Sequence, residues 1–218
     1  MIKKGILFTV SILIIGLTFG STYKNISISE LDSMIFDEEF VKKDAEGAFK
    51  YYLKAAEQGD SDAQISIGKM YQKGRYWVDM DLKKAFEWFL KAAEQNNKNA
   101  QFYVGYAYYQ GLGVNEDYKT AFYWIQKSAN QGHPIAQYEL STMYSNGDGV
   151  QKSEVIAREW MKKSASQNIA VAQYALAEMY ETGFGGPIDI NIAKQWYQKS
   201  VENGLSWGND KLKELSKF

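Results

Sequence analysis

Residues 100–137, AQFYVGYAYYQGLGVNEDYKTAFYWIQKSANQGHPIAQ, begin and end on the same dipeptide. Ala-Gln stands at Ala63-Gln64, Ala100-Gln101, Ala136-Gln137 and Ala172-Gln173, in steps of 37, 36 and 36 residues. A decayed copy, Gly208-Asn209, lies another 36 on. Eight residues after each alanine comes a tyrosine (Tyr71, Tyr108, Tyr144, Tyr180), and three later a glycine (Gly74, Gly111, Gly147, Gly183). Trp88, Trp124, Trp160 and Trp196 keep the same period, each three residues after an alanine. A fixed period of this length marks stacked repeats rather than one fold around one pocket. The one extra residue of the first step falls between Gly74 and Ala85, in a loop, where insertions in repeat proteins belong.

Each unit reads as two helices. In the first, Ala100, Val104 and Tyr108 recur on one helical face. Gly68, Gly105, Ser141 and Ala177 share one column, where a small residue permits close approach of the partner helix. Glycine there costs about 1 kcal/mol of helix propensity against alanine, which packing must offset. These helices stop at glycines, which tolerate the left-handed conformation. The second helix starts at a polar cap four residues before its alanine: Asp44, Asp81, Asp117, Ser153 and Asp189. It ends at Gly59, Asn96, Gly132, Asn168 and Gly204, all Gly or Asn.

Segments such as AFKYYLKAAEQGDSDAQ, YQGLGVNEDYKTAFYWIQKSANQG and AQYELSTMYSNGDGV resemble Sel1-like repeats, relatives of the tetratricopeptide repeat, from residue 45 to about 212. The resemblance implies an all-α, right-handed solenoid of stacked helix-turn-helix units, about four full repeats with half-repeats at the ends. It implies an adaptor that binds a protein or extended peptide on its concave face, without catalysis and without a cofactor. Some exported relatives resemble inhibitors or immunity proteins that hold a toxin or cell-wall enzyme inactive, which is the nearest alternative. Others, stapled by a cysteine pair in each repeat, are credited with penicillin binding or hydrolysis. This chain has no cysteine, so that activity is not carried over. Repeat one departs from the pattern with Tyr76 in place of the second loop glycine, in the segment Arg75-Tyr76-Trp77.

Composition narrows the partners. With 45% apolar and 23% charged residues the chain is globular, and a net charge of −1 gives no field to draw it onto nucleic acid or an acidic membrane. His133, the only histidine, sits between Gly132 and Pro134 and reads as an exposed turn residue; a Ser-His-Asp triad would have to use it and has no second anchor. The Gly-x-Gly loops lack the strand and Lys-Ser/Thr of a phosphate cradle and read as turns. Asp37-Glu38-Glu39 and Asp79-Met80-Asp81 offer too few oxygens for calcium and read as caps or solvated faces. The Trp and Tyr columns read as core, so Trp124→Ala is expected to cost roughly 3–5 kcal/mol.

Specificity is better sought on first-helix positions outside the repeat motif. By similarity to tetratricopeptide repeats these are Ile65, Phe102, Tyr138 and Tyr174; Lys69, Tyr106, Thr142 and Glu178; and Gln72, Tyr109, Ser145 and Glu181. Lys69, Phe102, Tyr106, Tyr109, Tyr138 and Glu178 are the chosen protein-binding residues. The helix QFYVGYAYYQ stands out, since only Tyr108 of its aromatics belongs to the motif, and tyrosine is enriched in binding hot spots. The alternative is that Phe102 and Tyr138 pack between neighbouring repeats.

The ends differ from the array. Residues 26–40 are expected to cap it with a helix from near Ser29, within a linker or capping segment at 21–43 that precedes the solenoid at 44–218. A polar helix near Ser206 to Lys217 covers the other end. Residues 1–20 carry Lys3 and Lys4, a 15-residue apolar run from Gly5 to Phe19, then the small Gly20 and Ser21. That is a secretory signal, too short for the roughly 20 residues that span a bilayer. Export to a bacterial periplasm is expected, as a monomer when unbound. The alternative is an uncleaved anchor, the one membrane contact foreseen. N-terminal sequencing of the exported protein should begin at Ser21; a start at Met1 would establish the anchor.

Overall fold

The computed structural model describes residues 38–74 and 78–216. The expected signal, most of the expected N-terminal cap and the Arg75-Tyr76-Trp77 segment lie outside the described residues. Those described form ten α-helices and no strand. None of the helices is long and apolar enough to cross a membrane. Two units divide the chain, one ending at Met80 and the other running from Asp81. The first holds α1 (Glu38–Glu57) and α2 (Ser61–Lys73), packed on each other. The second holds α3 (Leu82–Glu94), α4 (Lys98–Gln110), α5 (Tyr118–Asn130), α6 (Pro134–Asn146), α7 (Glu154–Ala165), α8 (Ala170–Thr182), α9 (Ile190–Glu202) and α10 (Gly208–Leu215). Within it each helix packs on the next, and successive pairs stack as an α-solenoid.

Caps and stops fall where the sequence places them, with one exception. Asp81, Asp117, Ser153 and Asp189 precede α3, α5, α7 and α9, each accepting backbone N–H bonds from the first turn. Asp44 starts nothing: α1 runs through it from Glu38. The first helices have their own caps, Asp60, Asn97 and His133, while Ile169 before α8 supplies no side-chain bond. All five expected Gly or Asn stops of the second helices have positive φ, Asn96 and Asn168 included.

Small residues set the spacing between helices. A Cβ on Gly105 would stand 2.6 Å from Ile125 Cγ1 and 2.9 Å from its backbone nitrogen. In the same column Ser141 is buried and donates its hydroxyl to the Ala157 carbonyl at 2.7 Å. The second glycine of each Gly-x-Gly loop makes a closer approach. With φ near +70°, Gly113, Gly149 and Gly185 lie against the first-turn carbonyls of Leu82, Tyr118 and Glu154, where a Cβ would come within 2.2 Å. Each loop thus rests on the start of the preceding second helix, and no side chain fits between.

Buried glutamines tie the pairs together. The glutamine of every Ala-Gln dipeptide is buried and donates its amide to the last turn of the preceding helix, Gln101 to Ala93, Gln137 to Ala129 and Gln173 to Ala165. Its oxygen then accepts an amide from the end of the following second helix: Gln131 to Gln101 at 2.7 Å, Gln167 to Gln137 at 2.8 Å and Asn203 to Gln173 at 3.0 Å. In the first unit Gln64 bonds Ala56 in the same way.

The aromatic columns are less buried than expected. The repeat alanines and the Val104, Leu140, Leu176 series are fully buried, whereas the four periodic tryptophans and tyrosines are half-buried. Each tryptophan keeps one face for a lysine three residues on: Lys91, Lys127, Lys163 and Lys199 lie 3.6–5.0 Å above Trp88, Trp124, Trp160 and Trp196. The tyrosines take an edge-on phenylalanine, Phe86 on Tyr108 and Phe122 on Tyr144. In the next repeat Arg158 replaces that phenylalanine. Buried, it lies 3.8 Å over Tyr180 and donates both terminal nitrogens to the Pro187 carbonyl at 3.3 Å, leaving its Nε unsatisfied. At the end of the array α10 covers Ala177, Ala193 and Tyr197 with Leu215 and Leu212.

Two denaturation series follow from this packing. Gly149→Ala combines positive φ with a backbone clash and should cost more than about 2 kcal/mol, whereas Gly132→Ala, with positive φ but open space, should cost about 1 kcal/mol. Trp124→Ala, half-buried, should cost about 2 kcal/mol, below the value for a buried ring. Urea midpoints of the three variants check both statements.

Candidate protein-binding surface

The predicted surface residues fall into distinct settings. In the first unit, Ile65 is buried and belongs to the core, while Lys69 on α2 is half-exposed. In the second unit, Phe102 of α4 stacks on the His133 imidazole with ring centres 4.9 Å apart, and packs on the Ala121, Ile125 and Leu140 cluster. Tyr138 of α6 packs on Met161, Ala165, Ala172 and Leu176. Tyr174 of α8 meets the edges of Tyr197 and Trp207. This column spends much of its area between neighbouring repeats, the alternative weighed for Phe102 and Tyr138.

His133 is not the exposed turn residue that the sequence leads one to expect. It is half-buried and caps α6, its Nδ1 accepting the Ala136 N–H at 3.0 Å. Burial, reinforced by the Lys98 charge, pushes its pKa below the usual histidine value. The neutral ring keeps the lone pair that the cap requires.

Tyr109 joins α4 to the next repeat's loop. Its hydroxyl donates to Asp148 Oδ2 at 2.8 Å, and its ring lies 5.2 Å from that of Tyr118. Burial first, then the Asp148 carboxylate, pushes its pKa up to about 12. Asp148 is the middle residue of Gly147-Asp148-Gly149, so the loop read only as a turn also carries a surface carboxylate.

The column of Tyr106, Thr142 and Glu178 is the most open. Tyr106 is half-exposed, its ring 5.9 Å from Phe102; Thr142 donates to the Tyr138 carbonyl; Glu178 is exposed. Beside it Glu181 accepts from the Tyr197 hydroxyl and from Lys211 Nζ, the latter at 3.1 Å. Burial raises the pKa of Glu139 and of Glu178, the second with Glu181 adding in the same direction against Lys211. Glu139, Asp148 and Trp207, the last 65% exposed, are surface residues the sequence reading missed. Comparing columns finds the first of them: Glu139 stands where the neighbouring repeats have Tyr103 and Ala175.

Comparison with protein families matches the Sel1 repeat at residues 33–60, 61–97, 98–133, 134–169 and 170–205. Among solved structures, a protective antigen of uropathogenic Escherichia coli strains with an SLR fold is 36% identical over 77% of this chain and 36% of its own, with TM-score 0.73. A Sel1 repeat protein from Oxalobacter formigenes is 34% identical over 78% of this chain and 49% of its own, with TM-score 0.72. The chain therefore spans between a third and a half of the length of these relatives. An immunity protein from Pseudomonas aeruginosa, 22% identical over 75% of this chain and 60% of its own, shares the fold at TM-score 0.52. No match was found among curated protein sequences.

The Tyr109 bond gives a pH-dependent prediction. Its folded pKa lies above the ordinary 10.0, so its stabilising contribution is present below pH 10 and is lost as pH rises through about 12. Tyr109→Phe should cost about 1 kcal/mol at pH 7 and flatten the alkaline loss of stability between those values. Urea unfolding of both proteins across that range is the measurement.

Proposed function

The chain belongs to the Sel1 repeat family, and from that premise we propose that it is an exported, non-catalytic scaffold that binds a protein or extended peptide along the face of its first helices. Repeats of this family mediate protein–protein interaction. The carrying observation is the first-helix face of the second unit. There Tyr106, Thr142 and Glu178 stay open to solvent while the period-keeping residues around them are committed to packing. Rigid aromatic side chains at such positions offer large contact area at low entropic cost. Residues 1–20 support export, and the short apolar run favours cleavage over anchoring. The bond networks of Tyr109, His133 and the Ala-Gln glutamines each have a structural use, and general acid–base chemistry is assigned to none of them.

Affinity capture from a periplasmic extract with the immobilised mature protein tests this reading. Tyr106→Ala should keep the helical circular dichroism and thermal midpoint while losing the captured protein. Capture unchanged by Tyr106→Ala would remove the surface from the proposal, and β-lactam or muropeptide hydrolysis by the pure protein would remove the non-catalytic reading. Capture of a toxin or cell-wall enzyme that is thereby inactivated would narrow the scaffold to an immunity-type inhibitor.

A further inference from the structure

We infer that the first-helix face of the second unit, from Tyr106 across Glu139 to Glu178, takes an extended segment bearing lysine or arginine side chains. This rests on the scaffold reading above and names the chemistry of its partner.

Charge is divided between the two layers of the second unit. The second helices α3, α5, α7 and α9 carry ten lysines and arginines against five glutamates. The first helices α4, α6 and α8 carry one lysine, Lys98 at the first position of α4, against Glu139, Glu178 and Glu181. Asp148 extends the acidic strip from the neighbouring loop. Tyr109 lies within electrostatic reach of both Asp148 and Glu139, and Tyr138 of both Glu139 and Glu178, so each ring has two of these carboxylates for neighbours. Among the described residues, the cation paired with this strip is Lys211, on Glu181. Asp148 is met by neutral donors, the Tyr109 hydroxyl and the Asn146 amide. Glu139 makes no hydrogen bond or ion pair with any described residue, although it is half-buried and burial alone acts on its carboxyl.

A half-buried carboxylate without a cation carries a desolvation cost that no ion pair offsets, so an arriving cation gains from the charge already held there. The aromatic rings beside the strip suit the same visitor. Tyr106, Tyr138 and Tyr174 are half-buried and Trp207 is exposed, and the face of such a ring attracts ammonium and guanidinium groups. An extended chain rises about 3.3 Å per residue, so side chains three residues apart stand about 10 Å from one another, the order of one helix diameter. Nucleic acid and anionic lipid carry the wrong charge for this face.

The test uses the mature full chain and a fluorescein-labelled nonapeptide with lysine at every third position, beside glutamine and glutamate counterparts. Binding followed by anisotropy should appear for the lysine peptide alone and weaken several-fold between 50 and about 300 mM salt. The E139Q/E178Q double variant should bind about tenfold more weakly, with a thermal midpoint unchanged or raised, since the half-buried charge of Glu139 has gone and Glu178 is exposed. Equal binding of the glutamine peptide, or binding that E139Q/E178Q leaves intact, would overturn the inference. So would a self-association, seen by sedimentation and abolished by E139Q/E178Q, which assigns the face to a second copy. A protein captured equally by wild type and E139Q/E178Q but lost with Tyr106→Ala would leave the scaffold standing and remove the basic partner.

Discussion

The array depends on one buried amide per repeat. A glutamine such as Gln137 lies on α6, donates to the Ala129 carbonyl at the end of α5, and accepts from Gln167 beyond the end of α7. One side chain therefore fixes three consecutive helices. The net worth of each bond is only about 1 kcal/mol, but the loss of either partner strands a buried polar group at about 1–3 kcal/mol. This asymmetry makes the residue a register device. A shift of one helix along another would leave both the amide and the carbonyl without partners. The alanine before it serves the same end by volume: Ala100, Ala136 and Ala172 are fully buried, and there is no room for a larger side chain to slide past.

Small residues then fix the distance at which these bonds can form. Gly105 and the loop glycines let backbone approach backbone, and the glutamine reaches its carbonyl only because the helices are that close. Buried serines repeat the pattern on the second helices, Ser128 bonding the Lys98 carbonyl and Ser164 the Pro134 carbonyl. Each interface is thus closed by local bonds of the same kind. In such an architecture stability is close to a sum over neighbours, so one repeat can carry a costly substitution without unravelling the rest. Arg158, with its buried and partly unsatisfied guanidinium, is a substitution of that sort.

The fold was legible because its determinants recur. Caps at Asp81, Asp117, Ser153 and Asp189, stops at Asn96 and Asn168, and the column of Gly105 and Ser141 each appear several times at one spacing, and chance does not repeat at 36 residues. What escaped was what periodicity cannot resolve. The glutamine of Ala-Gln was visible as a marker, but its bonds join residues 30 apart and have no local signature. The tryptophan column was visible, yet its half-burial depends on Lys91, Lys127, Lys163 and Lys199 folding over it. Asp44 had the spacing of a cap, but the helix through it begins earlier and overrides the local preference. His133 looked exposed because neither its stacking on Phe102 nor its cap on Ala136 follows from composition.

The candidate surface is harder to read for the same reason, since it consists of exceptions to the period. A residue kept in every repeat answers to packing; one that appears once answers to packing only if its neighbours changed with it. Arg158 meets that condition, because Gly186 and Pro187 replace the ordinary loop and the guanidinium fills the space against them. Glu139 does not. No described residue bonds or pairs with its carboxylate, and its burial works against the charge. Tyr106 is similar in kind, a large half-exposed ring beside Phe102 where the next repeats carry Thr142 and Glu178. Gathered on one face and of complementary chemistry, Glu139 and Tyr106 are the two positions on which the proposed partner contact rests.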